Sequence, residues 1–133
     1  MRDLRYTPPT MRELALVVGI MLGLLGLGAL AQLPFELGLH WGLRLTALGL
    51  ALGVPTGLVY HVALARALSR RGVLPARWYW HPLALHPRLL PGERPRVLLW
   101  CGLGAAGFAV TALGLAVLGV PTLVLLLRLY RGD

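Results

Sequence analysis

Apolar residues fill three long stretches of the chain that contain no Asp, Glu, Lys or Arg. These stretches are residues 14–33, 45–65 and 97–127. A helix needs about 20 mostly apolar residues to cross the hydrocarbon core of a bilayer. The strands of a membrane barrel would instead alternate apolar and polar positions. The pattern therefore predicts an all-α integral membrane protein with three transmembrane helices.

The third stretch is longer than one membrane crossing requires. Its 31 residues would form about 46 Å of helix at 1.5 Å per residue. Three arrangements are open: one long helix bent near Pro121, a helix followed by an interfacial segment, or a hairpin of two short arms. Each hairpin arm would be too short to span, so the long bent helix is favoured.

Two connections of different character join the stretches. Residues 34–44 are short and nearly neutral, whereas residues 66–96 contain five prolines and the aromatic run Trp78 to Trp80. Closely spaced prolines exclude a long regular helix, and Trp and Tyr are typical of the headgroup region. We expect the longer connection to lie along the membrane surface, with Pro95 opening the third helix.

Charge is concentrated in the connections and predicts an orientation. The chain carries 13 basic residues against 5 acidic ones, and the 66–96 connection holds seven Arg against one Glu. Basic loops are retained in the cytoplasm. The N-terminus and residues 66–96 are therefore predicted to be cytoplasmic, with 34–44 outside. All basic residues are Arg, which favours a GC-rich bacterial genome and thus a bacterial cytoplasmic membrane.

The basic connection also suggests what the protein binds. Arg side chains next to Trp at a membrane surface favour anionic lipid headgroups, at about 1 kcal/mol per basic residue. The candidate lipid-binding residues are Arg70, Arg71, Arg77, Trp78, Trp80 and Arg88. Nucleic acid is excluded as a partner, since this charge belongs to the loops of an apolar single domain covering residues 1–133.

Residues that could carry catalysis or hold a cofactor are few. No charged residue interrupts a span, and no nucleophile set, phosphate loop or carboxylate pair is present, so an enzyme is not expected. His61, near the end of the second span, is a candidate haem or quinone ligand only under an alternative interpretation. His81 and His86 match no metal-binding spacing, and no metal or cofactor is predicted.

Small residues at four-residue spacing predict contact seams, either between helices of the chain or with a partner, because close backbone approach drives association in lipid. The predicted contact stripes are Ala15, Gly19 and Gly23 in the first span, Gly49, Gly53 and Gly57 in the second, and Cys101, Ala105 and Ala109 in the third. The motif LGVPT occurs twice. At each copy the Thr after Pro is expected to bond back, Thr56 to Leu52 and Thr122 to Leu118. The two prolines are predicted to lie in different surroundings, sharing no site.

These features favour a small non-catalytic accessory or assembly subunit of a larger membrane complex. Its basic loop would contact anionic lipid or a partner, and three spans bury too little interior to favour a solitary chain. A membrane partner or a homo-oligomer is therefore expected. The alternatives are a membrane anchor contributing to a haem or quinone site in a redox complex, and an oligomeric pore.

Overall fold

The computed structural model describes residues 10–132. Helices are the only regular secondary structure in this part of the chain. The two segments joining its three long helices are Gln32–Pro34 and residues 70–93, and the latter contains the short 3-10 helices Trp78–Trp80 and Pro82–Arg88. The long helices are α1 Met11–Ala31, α2 Phe35–Ser69 and α3 Arg94–Arg131. All three are long and apolar enough to span a membrane, which confirms the predicted all-helical fold with three candidate spans.

Helix α1 begins with a capping box and packs very little within the chain. The Thr10 side chain accepts a hydrogen bond from the N–H of Glu13 at 3.4 Å, and Glu13 Oε2 accepts one from the N–H of Thr10 at 2.7 Å. Both orphan donors of the first turn are thereby satisfied. No residue of α1 is buried, because only its C-terminal end approaches α3. In water this apolar surface would be unstable, which indicates a membrane location.

Helices α2 and α3 form a long antiparallel hairpin whose surfaces meet along small residues. We call this contact the glycine seam. Its members are Gly38, Gly42, Gly49 and Gly53 of α2 and Gly107, Thr111, Gly114, Leu118 and Pro121 of α3. At the far end, Gly104 approaches Gly57, with 3.4 Å between an ideal Cβ on Gly104 and the Gly57 Cα. The seam thus follows α2 over more than five turns.

The two backbones touch directly along the glycine seam. An ideal Cβ added to Gly107 would lie 2.5 Å from the backbone nitrogen of Gly53. One added to Gly114 would lie 2.5 Å from the backbone nitrogen of Thr46. Real side chains do not approach backbone atoms this closely, so only glycine fits these positions. This is the close backbone packing by which helices associate in lipid.

The structure corrects the predicted contact stripe of one span. Gly49, Gly53 and Gly57 do face α3, as expected, but Ala105 and Ala109 are exposed. The residues of α3 that contact α2 instead recur in alternating steps of three and four, or every 3.5 residues on average. In α1, ideal Cβ atoms on Gly19 and Gly23 meet nothing within 4 Å among residues 10–132, so this stripe makes no contact in the described part of the chain and stays a prediction as a partner contact.

The outer connection is much shorter than predicted. Residues 34–44 were expected to form a loop, yet α2 begins at Phe35 and includes all but the first of them. Glu36 and Arg44 precede the uncharged stretch 45–65, but the helix already includes them because backbone hydrogen bonding extends back to Phe35. Gly38 and Gly42 are buried against α3, so this extension belongs to the hairpin contact.

Both LGVPT copies lie inside continuous helices. The Thr56 hydroxyl donates to the carbonyl of Leu52 at 2.6 Å, and the Thr122 hydroxyl donates to that of Leu118 at 2.6 Å, which confirms both predicted back-bonds. Helix α3 continues through Pro121 to Arg131, so the hairpin and the interfacial segment are wrong. A bend near Pro121 stays a prediction.

The two prolines occupy different surroundings, as predicted. Pro121 is buried, and its Cγ would lie 2.8 Å from a Cβ on Gly38. Pro55 is exposed and lies between Gly53 and Gly57, which face the other half of α3. The repeated motif therefore serves the packing of one helix pair at two separate places.

The core of the molecule lies where residues 70–93 fold back against the hairpin. Leu64 and Leu68 of α2 are completely buried, and Leu85, Leu89 and Val97 close over them. Consequently, the connection is a packed cap on the α2–α3 pair. The cap lies at the end of the hairpin where α2 ends and α3 begins, and several arginines lie at this same end.

Candidate functional site

The six predicted lipid-binding residues lie in different surroundings. Arg71 is an internal strut: its Nη2 donates to the carbonyl of Arg88 at 2.8 Å and to Glu93 Oε2 at 3.4 Å, and its Nε donates to the carbonyl of Ala67 at 3.4 Å. One guanidinium thus ties together the end of α2, the connection and the start of α3. This role stabilises the cap.

The aromatic run of the connection is divided between core and surface. Trp78 is half-buried and packs against the core cluster. Trp80 is exposed over 70% of its surface, and Tyr79 over 54%. Arg70, Arg77 and Arg88 also carry exposed side chains. Trp80 and these three arginines therefore match the expectation of side chains free to meet a membrane surface.

His61 and His86 each have one ring nitrogen engaged within the chain. His61 Nδ1 is 2.8 Å from the carbonyl oxygen of Gly57, so Nδ1 carries the proton and donates it. His86 Nε2 is 2.8 Å from the Tyr60 hydroxyl, a pair that links the cap to α2. The ring of His61 lies 6.0 Å from that of Trp78. The two histidines therefore help to hold the core.

Within residues 10–132, no group of three His, Cys, Asp or Glu side chains is arranged to hold a metal ion. Cys101, the one cysteine of the chain, is a free thiol that is partly buried against the core cluster.

A cleft at the capped end of the hairpin is lined by three arginines that form no ion pair within the described residues. It has a volume of about 300 Å³ and lies between the last turns of α2 and the first turns of α3. We call it the arginine cleft. Its polar wall consists of Arg66, Arg70, Glu93 and Arg96, and its apolar wall includes Val59, Val62, Ala63, Val97 and Trp100.

The charge of the arginine cleft is strongly unbalanced. Among residues 10–132 the only ion pair joins Arg71 to Glu93, so Arg66, Arg70 and Arg96 have no carboxylate within 4.0 Å in that part of the chain. The backbone N–H of Arg96, in the first turn of α3, also has no protein acceptor among the described residues. The cleft thus concentrates unpaired hydrogen-bond donors and positive charge at one place.

The lipid-binding residues predicted from the sequence included Arg70, whereas Arg66 and Arg96 were counted only among the seven arginines of the connection. These two residues open and close the predicted connection, so they lie 30 positions apart along the chain. Gly104 opposite Gly57 and Gly107 opposite Gly53 define an antiparallel register that brings positions 66 and 96 near one another. The register could have been predicted from Gly107 and Gly114, two contact residues of α3 that lie seven positions apart. A search for small residues at strict four-residue spacing does not find this pair.

Comparison with known proteins adds no relative to this description: the chain matches no protein-family model, no curated protein and no solved structure.

Proposed function

We propose that this protein is a small non-catalytic subunit of a larger assembly in a bacterial cytoplasmic membrane. In this proposal α1 contacts another membrane protein or a second copy of the chain. The observation that carries it is the contrast between the helices. The α2–α3 hairpin uses its glycines internally, whereas within residues 10–132 α1 has no buried residue and its Gly19 and Gly23 meet nothing.

The exposed face of α1 has the composition of a helix–helix contact. Ala15, Gly19 and Gly23 recur at four-residue spacing and so share one side of the helix. Small residues let two backbones approach closely, and this is the main source of helix association in lipid. A partner helix that binds there would cover the small residues of α1, as α3 covers those of α2.

The polar groups near the cap support a structural role over a chemical one. Arg71, His61 and the Tyr60–His86 pair each bond within the chain. The Nδ1–H bond of His61 to the Gly57 carbonyl leaves its Nε2 free among the described residues, as in a ligating histidine. The haem or quinone alternative draws less support because the Nε2 of His86 is 2.8 Å from the Tyr60 hydroxyl and so does not offer a second ligand atom. We therefore do not favour a redox anchor.

The orientation of the proposal follows the charge of the connections. Seven Arg lie in residues 66–96, and the structure folds this segment into one cap at one end of the hairpin. Under the positive-inside rule the cap faces the cytoplasm, together with the N-terminus. The turn Gln32–Pro34 then lies at the outer surface.

Copurification from the native membrane in a mild detergent tests the proposal. The tagged chain should retain a stoichiometric partner helix protein, or a second copy of itself, through size-exclusion chromatography. Gly19→Leu should abolish this association, because a leucine side chain fills the space that a partner backbone needs.

Gly28→Leu is the matched control. Gly28 lies nine residues from Gly19, or two and a half turns, so it is on the opposite side of α1; its ideal Cβ also meets nothing within 4 Å. This variant should keep the partner. A chain that elutes as a lone monomer, or a Gly19→Leu variant that keeps its partner in full, would contradict the proposal.

A further inference from the structure

The arginine cleft has the shape of an amphiphile, with charge at one end and apolar surface at the other. On α2, Val59, Val62, Arg66 and Arg70 follow one another at steps of three and four residues, so they form a single stripe. The stripe changes from apolar to basic as it approaches the cap. On α3 the residues Trp100 and Arg96 repeat this change from the other side.

The basic end of the cleft suits a phosphate group. Guanidinium groups bind phosphate oxygens through paired N–H donors, and three of them line this end without a carboxylate partner among the described residues. The fourth charged wall residue, Glu93, is engaged by Arg71 at 3.4 Å. An anion is therefore attracted by three unpaired cations, while the one carboxylate is already neutralised.

The apolar end indicates a lipid. Val59 and Val62 belong to a helix long enough to span a membrane, and both are exposed along the cleft. A free phosphate has nothing to contact there, whereas an acyl chain can lie along Val59, Val62 and Trp100. The volume of about 300 Å³ is at the lower end for small-molecule sites and matches a headgroup whose chains continue outside.

We propose that the arginine cleft binds one anionic phospholipid, with its phosphate between Arg66, Arg70 and Arg96 and an acyl chain along the α2–α3 face. The site is built from α2, α3 and the cap alone. It does not depend on α1 or on any protein partner, so a failed partner experiment leaves it standing.

Native mass spectrometry of the purified full chain in detergent tests the site. Phosphatidylglycerol and phosphatidylcholine with identical acyl chains are titrated separately, with sn-glycerol 3-phosphate as a competitor that has no acyl chain. We expect one phosphatidylglycerol to bind at least tenfold more tightly than phosphatidylcholine. The soluble competitor should not displace it at equal concentration. Each Arg→Gln change in the cleft should weaken binding about fivefold.

The matched control removes the same charge from outside the cleft. The variant R66Q/R70Q/R96Q is compared with R12Q/R94Q/R131Q, whose three arginines are exposed, do not line the cleft and are not among the candidate lipid-binding residues. The control should bind phosphatidylglycerol within twofold of the unaltered chain. Circular dichroism and elution volume establish folding of both triple variants, and Arg66→Gln alone provides a milder test of the same prediction.

Three results would overturn the inference. Equal weakening in the two triple variants would mean diffuse attraction between net charge and lipid. Equal affinity for the two lipids would remove the role of the arginines. Displacement by sn-glycerol 3-phosphate at equal concentration would make the cleft a site for a soluble phosphate.

Discussion

Gly107 lies at one of the tightest points of the glycine seam, and replacing it with alanine should separate α2 from α3. An ideal Cβ at this position lies 2.5 Å from the nitrogen of Gly53 and 3.1 Å from the carbonyl oxygen of Gly49. Both neighbours are backbone atoms of a continuous helix, so neither can rotate away. The added methyl group is accommodated only if the helix axes move apart.

The size of the effect follows from these distances. Ordinary contact begins near 3.4 Å, so the approach of 2.5 Å must open by about 0.9 Å. A gap of 0.5–1 Å forfeits about a quarter to a half of the dispersion energy of each contact that opens. Overpacked sites typically lose about 1–3 kcal/mol. We expect Gly107→Ala to lower the free energy of unfolding by an amount in this range.

Titration with sodium dodecyl sulfate in mixed micelles, followed by tryptophan fluorescence, measures the loss. Trp78 and Trp100 pack against the core cluster and report its opening. Gly102→Ala is the control in the same helix, because an ideal Cβ there meets nothing within 4 Å. Alanine favours a helix over glycine, so this control should be neutral or stabilising. Equal stability of the two variants would refute the backbone contact.

Three further predictions concern the cap and the orientation. Arg71→Gln removes the hydrogen bond to the carbonyl of Arg88 and the ion pair of the strut, so amide exchange in the cap should accelerate about fivefold, or about 1 kcal/mol. Tyr60→Phe leaves His86 without its partner and should cost about 1 kcal/mol in the detergent titration. Cysteine at position 88 should be labelled from the cytoplasm, and cysteine in place of Glu36 from outside.

Each of these predictions has a control of the same chemistry. Arg77→Gln removes an exposed guanidinium and should leave exchange unchanged, and Tyr79→Phe should leave stability unchanged. Identical effects in target and control would contradict the roles assigned to the strut and the Tyr–His pair. For labelling, Cys101 is first replaced by serine. Gly38 is unsuitable as the outer position because it is buried against Pro121. Labelling of position 88 from outside intact cells would reverse the orientation.

The sequence predicted the class of the fold because uncharged stretches of 20 or more residues leave few alternatives to a spanning helix. It failed at the ends of the helices. The hydropathy of the side chains indicates which part of a helix lies in lipid. The helix itself continues as long as its backbone hydrogen bonds continue. Phe35 to Arg44 therefore joined α2, and Arg128 to Arg131 joined α3. The back-bonds of Thr56 and Thr122 were predictable because they depend only on local geometry.

The candidate site was harder to predict, because it depends on the register between two helices. Arg70 could be singled out as basic and near the membrane, but nothing local distinguishes it from Arg71. In the structure Arg70 lines the arginine cleft, whereas Arg71 bonds to the Arg88 carbonyl and to Glu93. Both residues lie in the turn that follows Ser69, the last residue of α2, so helix periodicity does not tell their directions apart. Register arises from the glycine seam, whose partners are more than 40 residues apart for most contacts.

The use of glycine separates the helices by role. In water, a glycine within a helix is less favourable than alanine by about 1 kcal/mol, and it is retained where a backbone must come close. Gly107 and Gly114 meet α2 in this way. Gly19 and Gly23 of α1 make no such contact among residues 10–132. The hairpin is thus complete as a packing unit, whereas α1 has the surface of half an interface, which supports a partner helix at α1 and a lipid at the cap.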